Sequence, residues 1–450
     1  MITIRAKNGL DMNIPGQPDG PASRLMDMER VGLSPASFPH IRPKLLVKVG
    51  DKVRQGSILF ADKRNPDIGF ASPGGGTVES IDYGPRRAIN AITIRVDREE
   101  AREDRGVLDR HQLAVLSRDA LARHLMAGGL WPLIRSLPFR DIADPAFTPP
   151  AIIINLDTLD PFHAEPALYL DGSAGAFLFG LDALKRLAPA VYIVACRKED
   201  TLPPEIRGLV THRVRGRFPA DDPGVFLYYT RASAAANRCW YIHGRDVVLL
   251  GKFLSSGVYP VKRLVSVSSP NGSRHVLSRL GAPLALLAPE VRNHDTHVTI
   301  AGGLWRGQVA GPNDYLGLYD AALTLLPAGN QPEFLGFLRP GRRKPSHWRA
   351  FLSALHNDPL ALDAGRHGEE RACVNCGSCA AVCPVDILPQ FTLKSVLAGE
   401  IEEALAHGLL DCVECGLCAY VCPSKIELTF LLRQARESYY REQQAVGERP

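Results

Sequence analysis

Long hydrophobic runs are missing from this 450-residue chain. Its most apolar stretches, Ala151–Leu156, Ala174–Leu181 and Ala282–Ala288, fall far short of the ~20 residues that span a bilayer, so no transmembrane helix is expected. The start, Met1–Asn8, carries charges and lacks the apolar centre of a secretory signal. A cytoplasmic chain is therefore expected, reaching a membrane only by docking on something already there. An excess of one charge is also lacking. The 53 basic and 48 acidic residues leave +5, too little to argue for nucleic acid and enough only for weak attraction to an anionic membrane surface. Cysteine is sparse outside one stretch: eight of ten lie between Cys373 and Cys422, while Cys196 and Cys239 stand alone and read as small buried hydrophobes. Scattered pairs would point to disulfides; a cluster in a cytoplasmic chain points to metal.

What is present describes an ordinary globular protein of two to four domains, with 45% hydrophobic and 22% charged residues. Residues 1–98 read as β. Leu45–Val49, Val53 to Phe60, Thr77–Ile81 and Ala91–Val96 are strand candidates, punctuated by Gly50-Asp51 and by the turn Ser72-Pro73-Gly74-Gly75-Gly76. The charged stretch 99–118 reads as a linker. A helix over Arg118–Met126 should stop at Gly128-Gly129. Ala151–Leu156 and Val191–Cys196 are buried-strand candidates with helical sequence, Ala176–Leu187, between them, which predicts an α/β layer. Val247–Phe253 and Arg263–Val267 read as further strands. Residues 259–335 mix short strands with glycine and proline turns, Gly302-Gly303 and Gly311-Pro312 among them. The basic stretch Arg339–Lys344 reads as a boundary, followed by helices, Phe391–His407 and Ile426–Gln443, around two Cys-rich loops.

Those loops carry the chemistry. Cys373-x2-Cys376-x2-Cys379-x3-Cys383-Pro384 and Cys412-x2-Cys415-x2-Cys418-x3-Cys422-Pro423 have the spacing of bacterial two-cluster ferredoxins. A cubane needs thiolates at four corners, and one loop reaches three. Gly377 and Gly416 let each loop bend near the sulfides. The fourth thiolate comes from the other motif. Cys373, Cys376, Cys379 and Cys422 are expected to hold one [4Fe–4S] cluster; Cys412, Cys415, Cys418 and Cys383 the other. Structural zinc, the alternative, takes two separated Cys-x2-Cys pairs and leaves the third regularly spaced cysteine and the Cys-Pro unexplained.

The segment "VKVGDKVRQGSILFADK…ASPGGGTVESI" resembles lipoyl and biotinyl carrier domains, which makes Lys63 a candidate modified lysine. The following "RNPDIG" favours a solvated turn instead. A wider resemblance covers roughly residues 1–355. "GLDMNIPGQP", "IRPKLLVKVGDKVRQGSILFADKRNPDIGFASPGGGTV", "GGLWPLIRSLPF" and "DVVLLGKFLSSGVYPVKRLVSVSSP" occur in the order found in the NqrA family, the A subunits of sodium-translocating NADH–quinone reductases, and in the related RnfC proteins of Rnf complexes. The resemblance implies four units: a barrel-sandwich hybrid (1–98), a Rossmann-like α/β domain like that of the NADH-binding subunit of complex I (99–258), a β-grasp segment of the SLBB kind around "DYLGLY" (259–338), and an α-helical two-cluster ferredoxin-like domain (339–450). The chain departs from the NqrA pattern at its C-terminus, where that family mostly lacks the cysteines and RnfC keeps them.

RnfC and the NADH-binding protein of complex I carry a loop like "GGAGFP" that approaches phosphates. Here the place reads Gly128-Gly129-Leu130-Trp131-Pro132, and Trp131 would fill the nucleotide's space, so neither FMN nor NADH is expected on this chain. Gly74–Gly76 and Gly302-Gly303 lack strand–helix context and read as turns. His163, Asp157 and Asp160 follow a strand, where ligands and proton-moving pairs gather; helix capping and a contact between subunits explain them more simply. His294, Asp295 and His297 lack a third fixed ligand and read as surface loop. The family resemblance implies a peripheral cytoplasmic subunit that passes electrons through two clusters towards quinone, with ion movement left to membrane subunits, especially a flavin-carrying one of the B or D kind. Two rivals are an RnfC-like protein exchanging electrons between NADH and ferredoxin, and a scaffold whose clusters only stabilise the fold.

Overall fold

The structure is a computed structural model that describes residues 1–25, 27–197, 201–329, 341–342, 346, 348, 351–356 and 358–446. The stretch 339–344, read as a boundary, lies mostly outside them.

Alternating apolar residues close the N-terminal region into a sandwich. One sheet has four strands in the order Arg30–Leu33, Ile89–Val96, Gly76–Tyr83 and Lys52–Val53; the other has three, Pro43–Leu45, Ile58–Asp62 and Asn65–Ala71. Val31, Val78, Ile92 and Ile94 from the first sheet share a core with Leu59, Phe60 and Phe70 from the second, and the Phe60 and Phe70 rings stack at 4.5 Å. Two strands of the expected 1–98 unit pair elsewhere. Ile2–Arg5 runs parallel to His212–Arg215, and Ser23–Arg24 pairs with the strand Gly272–Arg279. The expected linker also holds a short helix, Arg110–Val115, begun by a capping box between Asp109 and Gln112.

The α/β region is built on a seven-stranded sheet ordered Ile2–Arg5, His212–Arg215, Val191–Ala195, Ile152–Asn155, Trp240–His243, Arg135–Ser136 and Asp141–Ile142. The first five strands are parallel; Arg135–Ser136 runs antiparallel to Trp240–His243, and Asp141–Ile142 antiparallel to Arg135–Ser136. Successive residues of Ile152–Asn155 point to opposite faces. Ile152 and Ile154 join the main core with the helices Ala174–Leu187 and Gly244–Ser256. Ile153 faces the other way, into a second core.

Val247–Phe253 is therefore not a strand: it lies inside the helix Gly244–Ser256. Val247, Val248, Leu249 and Leu250 are consecutive and all buried, with Lys252 the one charged residue of the stretch, and periodicity cannot separate so short an apolar run within a helix from a core strand. Gly257 ends the helix in the left-handed conformation (φ 69°). Its contact with Ala174–Leu187 is unusually close. A Cβ at Gly251 would lie 1.7 Å from the Ala176 carbonyl oxygen.

A six-stranded sheet follows, ordered Gln308–Ala310, His297–Ala301, Ala322–Pro327, Lys262–Ser269, Gly272–Arg279 and Ser23–Arg24. Buried charge pairs fasten it to its neighbours. Arg263 meets Asp246 of the helix Gly244–Ser256 at 2.6 Å, and Arg279 donates to Glu100 at 2.6 Å and to the Pro73 carbonyl at 2.8 Å. The C-terminal region is helical: Ser378–Ala381, Pro389–Ala398, Ile401–Ala406, Leu417–Tyr420 and Leu428–Val446. The helix expected over Phe391–His407 is two helices, because Gly399 turns left-handed (φ 78°) between them. The last helix reaches back across the molecule: Tyr440 stacks on Phe139 at 4.4 Å and donates to Asp141 at 2.5 Å. Among the described residues no helix is long and apolar enough to cross a membrane.

Candidate iron–sulfur centre and the adjoining cavity

The two cysteine loops share one backbone design. Asn375 (φ 52°) and Gly377 (φ 73°) are left-handed in the first, Glu414 (φ 52°) and Gly416 (φ 80°) in the second. Asp386 and Lys425, each three residues past the last cysteine of its motif, repeat the pattern at φ 50° and 57°. Alternation of right- and left-handed residues turns successive N–H groups inward and makes a concavity suited to an anionic cluster. A short helix then begins after each glycine, Ser378–Ala381 and Leu417–Tyr420, and delivers Cys379 and Cys418.

The eight thiols gather in two places. A cavity of about 470 Å³ is lined by Cys373, Cys376, Cys379 and Cys422, with Leu393, Ile426, Leu428 and Leu431 completing its wall. A much smaller one, about 20 Å³, is lined by Cys383, Cys412, Cys415 and Cys418. Each takes three thiols from one motif and the fourth from the other. Among the described residues no three His, Cys, Asp or Glu side chains converge as a single metal ion requires; the thiols are arrayed around a space instead. Burial pushes the Cys415 thiol up to about 12 and raises Cys383, Cys412 and Cys418 as well. Such thiols ionise at neutral pH only beside strong positive charge, which iron supplies.

The two sites differ in their surroundings. Cys373 and Cys376 are exposed. Cys379 and Cys422 belong to a small core of the helical module alone, with Leu393, Ile426 and Leu428. Cys383 and Cys415 belong to the second core of the α/β sheet, with Ile153, Val194 and Phe226. Polar contacts lock that second site down. Arg140 donates one nitrogen to Asp222 at 2.8 Å and to the Val413 carbonyl at 3.2 Å. Asn8 donates to the Cys383 carbonyl at 2.9 Å, and the Tyr229 hydroxyl to the Pro384 carbonyl at 3.1 Å. Arg436 donates to the Cys412 carbonyl at 2.6 Å and pairs with Glu414.

Beside this second site, at the carboxyl ends of the parallel strands, opens a cavity of about 860 Å³. Asp160, His163, Phe218, His275 and Trp305 are in its wall. Asp160 is 2% exposed. It accepts the backbone N–H of Trp305 at 3.2 Å and of Arg306 at 3.3 Å. Burial pushes its carboxyl up to about 7, against the pull of Arg306. Burial, reinforced by Arg245 and Arg306, drives His163 well below the usual imidazole range. Gly303 (φ 133°) lies against both: a Cβ there would stand 2.6 Å from Asp160 Oδ2 and 2.8 Å from His163 Nε2. Behind them Arg306 reaches Asp221 at 2.9 Å and Asp222 at 3.4 Å.

The helix-capping expectation for Asp157, Asp160 and His163 is overturned. The helix Pro166–Leu170 starts after Glu165 with no side-chain cap. Asp157 binds the N–H groups of Cys196 (2.5 Å) and Arg197 (3.2 Å) across the strand ends, and Asp160 serves the loop at Trp305. Cys239 is buried, whereas Cys196 is half-buried. Lys63 is exposed at the tip of a two-residue turn. His294 and Asp295 are exposed, and His297 opens a strand and meets Thr296 at 2.8 Å. Trp131 is fully buried, donates to the Ala143 carbonyl at 2.8 Å and packs edge-on against Trp240 at 5.5 Å. Trp305, Arg306, Phe218 and Arg140 were not singled out in the sequence; no spacing marks them.

Three family models match in the order the domains occur: an NqrA N-terminal barrel-sandwich hybrid domain over residues 4–97, an NqrA second alpha/beta domain over 116–259, and a 4Fe-4S dicluster domain over 372–426. The A subunit of the Na(+)-translocating NADH-quinone reductase from Pasteurella multocida (strain Pm70) is 33% identical over 416 residues, 91% of this chain and 92% of its own length. The chain belongs to the NqrA family. The A subunits from Pseudomonas aeruginosa (strain UCBPP-PA14) and Tolumonas auensis are likewise 33% identical over 91% of this chain and 92% of theirs. The N-terminal sandwich and the second α/β domain of this chain are thus NqrA architecture, and the iron–sulfur match falls on the two cysteine loops.

Proposed function

We propose that this chain is the peripheral, cytoplasmic-face NqrA component of a sodium-translocating NADH–quinone reductase and that it passes single electrons through two [4Fe–4S] clusters towards quinone. The observation that carries the reading is the pair of four-thiol sites, each drawn three and one from the two motifs. Cys373, Cys376, Cys379 and Cys422 hold one cluster; Cys412, Cys415, Cys418 and Cys383 hold the other. Clusters deliver one electron at a time, which suits a carrier that fills in single steps. NADH, quinone and sodium come from the names of the relatives. With no membrane-crossing helix among its described residues, the chain leaves ion movement to membrane partners, a flavin-carrying one of the B or D kind among them. FMN and NADH belong to those partners, a reading supported by Trp131 being packed into the core where a nucleotide loop would stand. The sheet over residues 262–327 is read as a β-grasp unit of the SLBB kind.

Iron and acid-labile sulfide analysis of the full chain tests this. About eight irons per chain are expected for two clusters. Cys422→Ser should remove the cluster of the first motif and Cys383→Ser that of the second, each leaving about half the iron. A protein in which Cys422→Ser strips the cluster of its own motif, or which holds about two zinc ions instead, would overturn the reading.

A further inference from the structure

Trp305 stands between the second cysteine site and the large cavity. Its indole lies over Gly416, where a Cβ would meet the ring at 3.3 Å, and packs edge-on against Tyr420 with centroids 5.0 Å apart. The same residue lines the cavity beside Phe218, centroids 6.1 Å apart. Its Nε1 is buried without a partner among the described residues, and its backbone N–H is held by Asp160. One aromatic side chain therefore touches the loop that carries Cys415 and Cys418 and also walls the cavity whose floor is a buried carboxyl.

The wall of the cavity selects its occupant. Asp11, Asp19, Asp160, Glu165 and Asp171 line it with one arginine, Arg197, and that arginine is already paired with Glu165 at 2.6 Å. A phosphate-bearing ligand would meet like charge there. An uncharged planar ring would not. It can lie against Trp305 and Phe218 and take a hydrogen bond from Asp160.

We propose that Trp305 and Asp160 join the Cys383, Cys412, Cys415 and Cys418 site to an uncharged, planar acceptor of two electrons and two protons, a quinone, bound in this cavity. The inference rests on the function proposed above and adds the residues through which it works. Two single electrons from the reduced cluster at that site, which returns each time to its oxidised state, and two protons convert the two ring carbonyls to hydroxyls. Trp305 fills the gap the electrons cross. Asp160 gives up its carboxyl proton and regains one from water entering the cavity before the second transfer. Arg306 faces the carboxylate that remains, with Asp221 and His163 the other titratable groups around it.

Equilibrium dialysis of the oxidised, cluster-loaded chain against a short-chain water-soluble benzoquinone gives a readout free of turnover. Trp305→Phe should bind within about twofold of the parent, Trp305→Ala about tenfold more weakly, and Asp160→Asn should abolish any fall in affinity between pH 6 and 8. In a single-turnover experiment with the dithionite-reduced chain, Trp305→Ala should slow reoxidation by the quinone about tenfold while iron content stays at the parental level. Parental affinity and reoxidation in both Trp305→Ala and Asp160→Asn would overturn the inference alone. A parent chain that neither binds nor reduces the quinone would overturn the proposed function along with it.

Discussion

Arg231 and Asp411 form a two-pronged ion pair, 2.5 Å and 2.8 Å, between the α/β region and the residue just before the second cysteine motif. The arginine follows the end of the helix Pro223–Thr230, and its carbonyl partner Ala234 and the Tyr228 ring complete the setting. The side chains are only 9% and 19% exposed, so solvent screens the pair weakly. With Arg140 it ties the second motif to the α/β core, and Asn8 and Tyr229 tie the Cys383-Pro384 end of the first motif there too, whereas the start of the first motif is held to the end of the second by Arg371 and Ser424.

Removing one member of that pair should cost about 3 kcal/mol, because the partner is left charged and largely desolvated. Arg231→Ala and Asp411→Ala are each expected to lower the denaturant midpoint, and the double variant should lose less than their sum. Arg231→Lys should rescue only part, since an ammonium cannot reproduce the fork. Strict additivity in the double-mutant cycle would contradict the assigned coupling.

The two loop glycines should behave differently although both are left-handed. At Gly377 nothing lies within 4 Å of an added Cβ, so Gly377→Ala meets only the backbone penalty, about 1–2 kcal/mol. At Gly416 the added atom also meets the Trp305 ring at 3.3 Å. Gly416→Ala should therefore cost more, and Trp305→Ala in the same chain should relieve the excess. Thermal or chemical denaturation of the four proteins measures this; equal costs at the two glycines would show that Trp305 does not press on the loop.

The cysteine spacing made the gathering of the thiols in two places legible, because covalent spacing fixes which three thiols one loop can bring together. The strands Ile152–Asn155 and Val191–Ala195 were legible for a similar local reason, a short apolar run between turn signals. The helix over Val247–Phe253 was not: packing against Ala174–Leu187 through Gly180 and Gly251 buries Val247–Gly251 as one continuous stretch, and so short an apolar run cannot be told from a core strand. The cavity was hidden for another reason. The tetrapeptide Gly-Gly-Leu-Trp occurs at 128–131 and at 302–305. In the first copy the tryptophan is a fully buried core residue; in the second it walls a cavity. Only long-range packing, with Trp240 in one case and with Gly416 and Tyr420 in the other, separates the two.

Asp160 should make stability depend on pH in a direction opposite to that of a salt-bridged carboxylate. Its carboxyl is raised from 3.8 to about 7 in the folded chain, by burial first. The folded state therefore holds this proton where the unfolded state has lost it, and stability falls as pH rises from about 4 to about 7, then levels off. The full span corresponds to roughly 4 kcal/mol at most. Asp160→Asn keeps an acceptor oxygen for the Trp305 and Arg306 N–H groups but cannot ionise. The variant should gain stability relative to the parent across that window, with little difference near pH 4. Parallel urea titrations at about pH 4.5, 6 and 7.5 measure the difference, and subtraction of the two chains cancels every other titrating group to first order. A constant difference across the three pH values would mean that Asp160 ionises as freely in the fold as in the unfolded chain, and that the carboxyl on the cavity floor holds no proton to give at neutral pH.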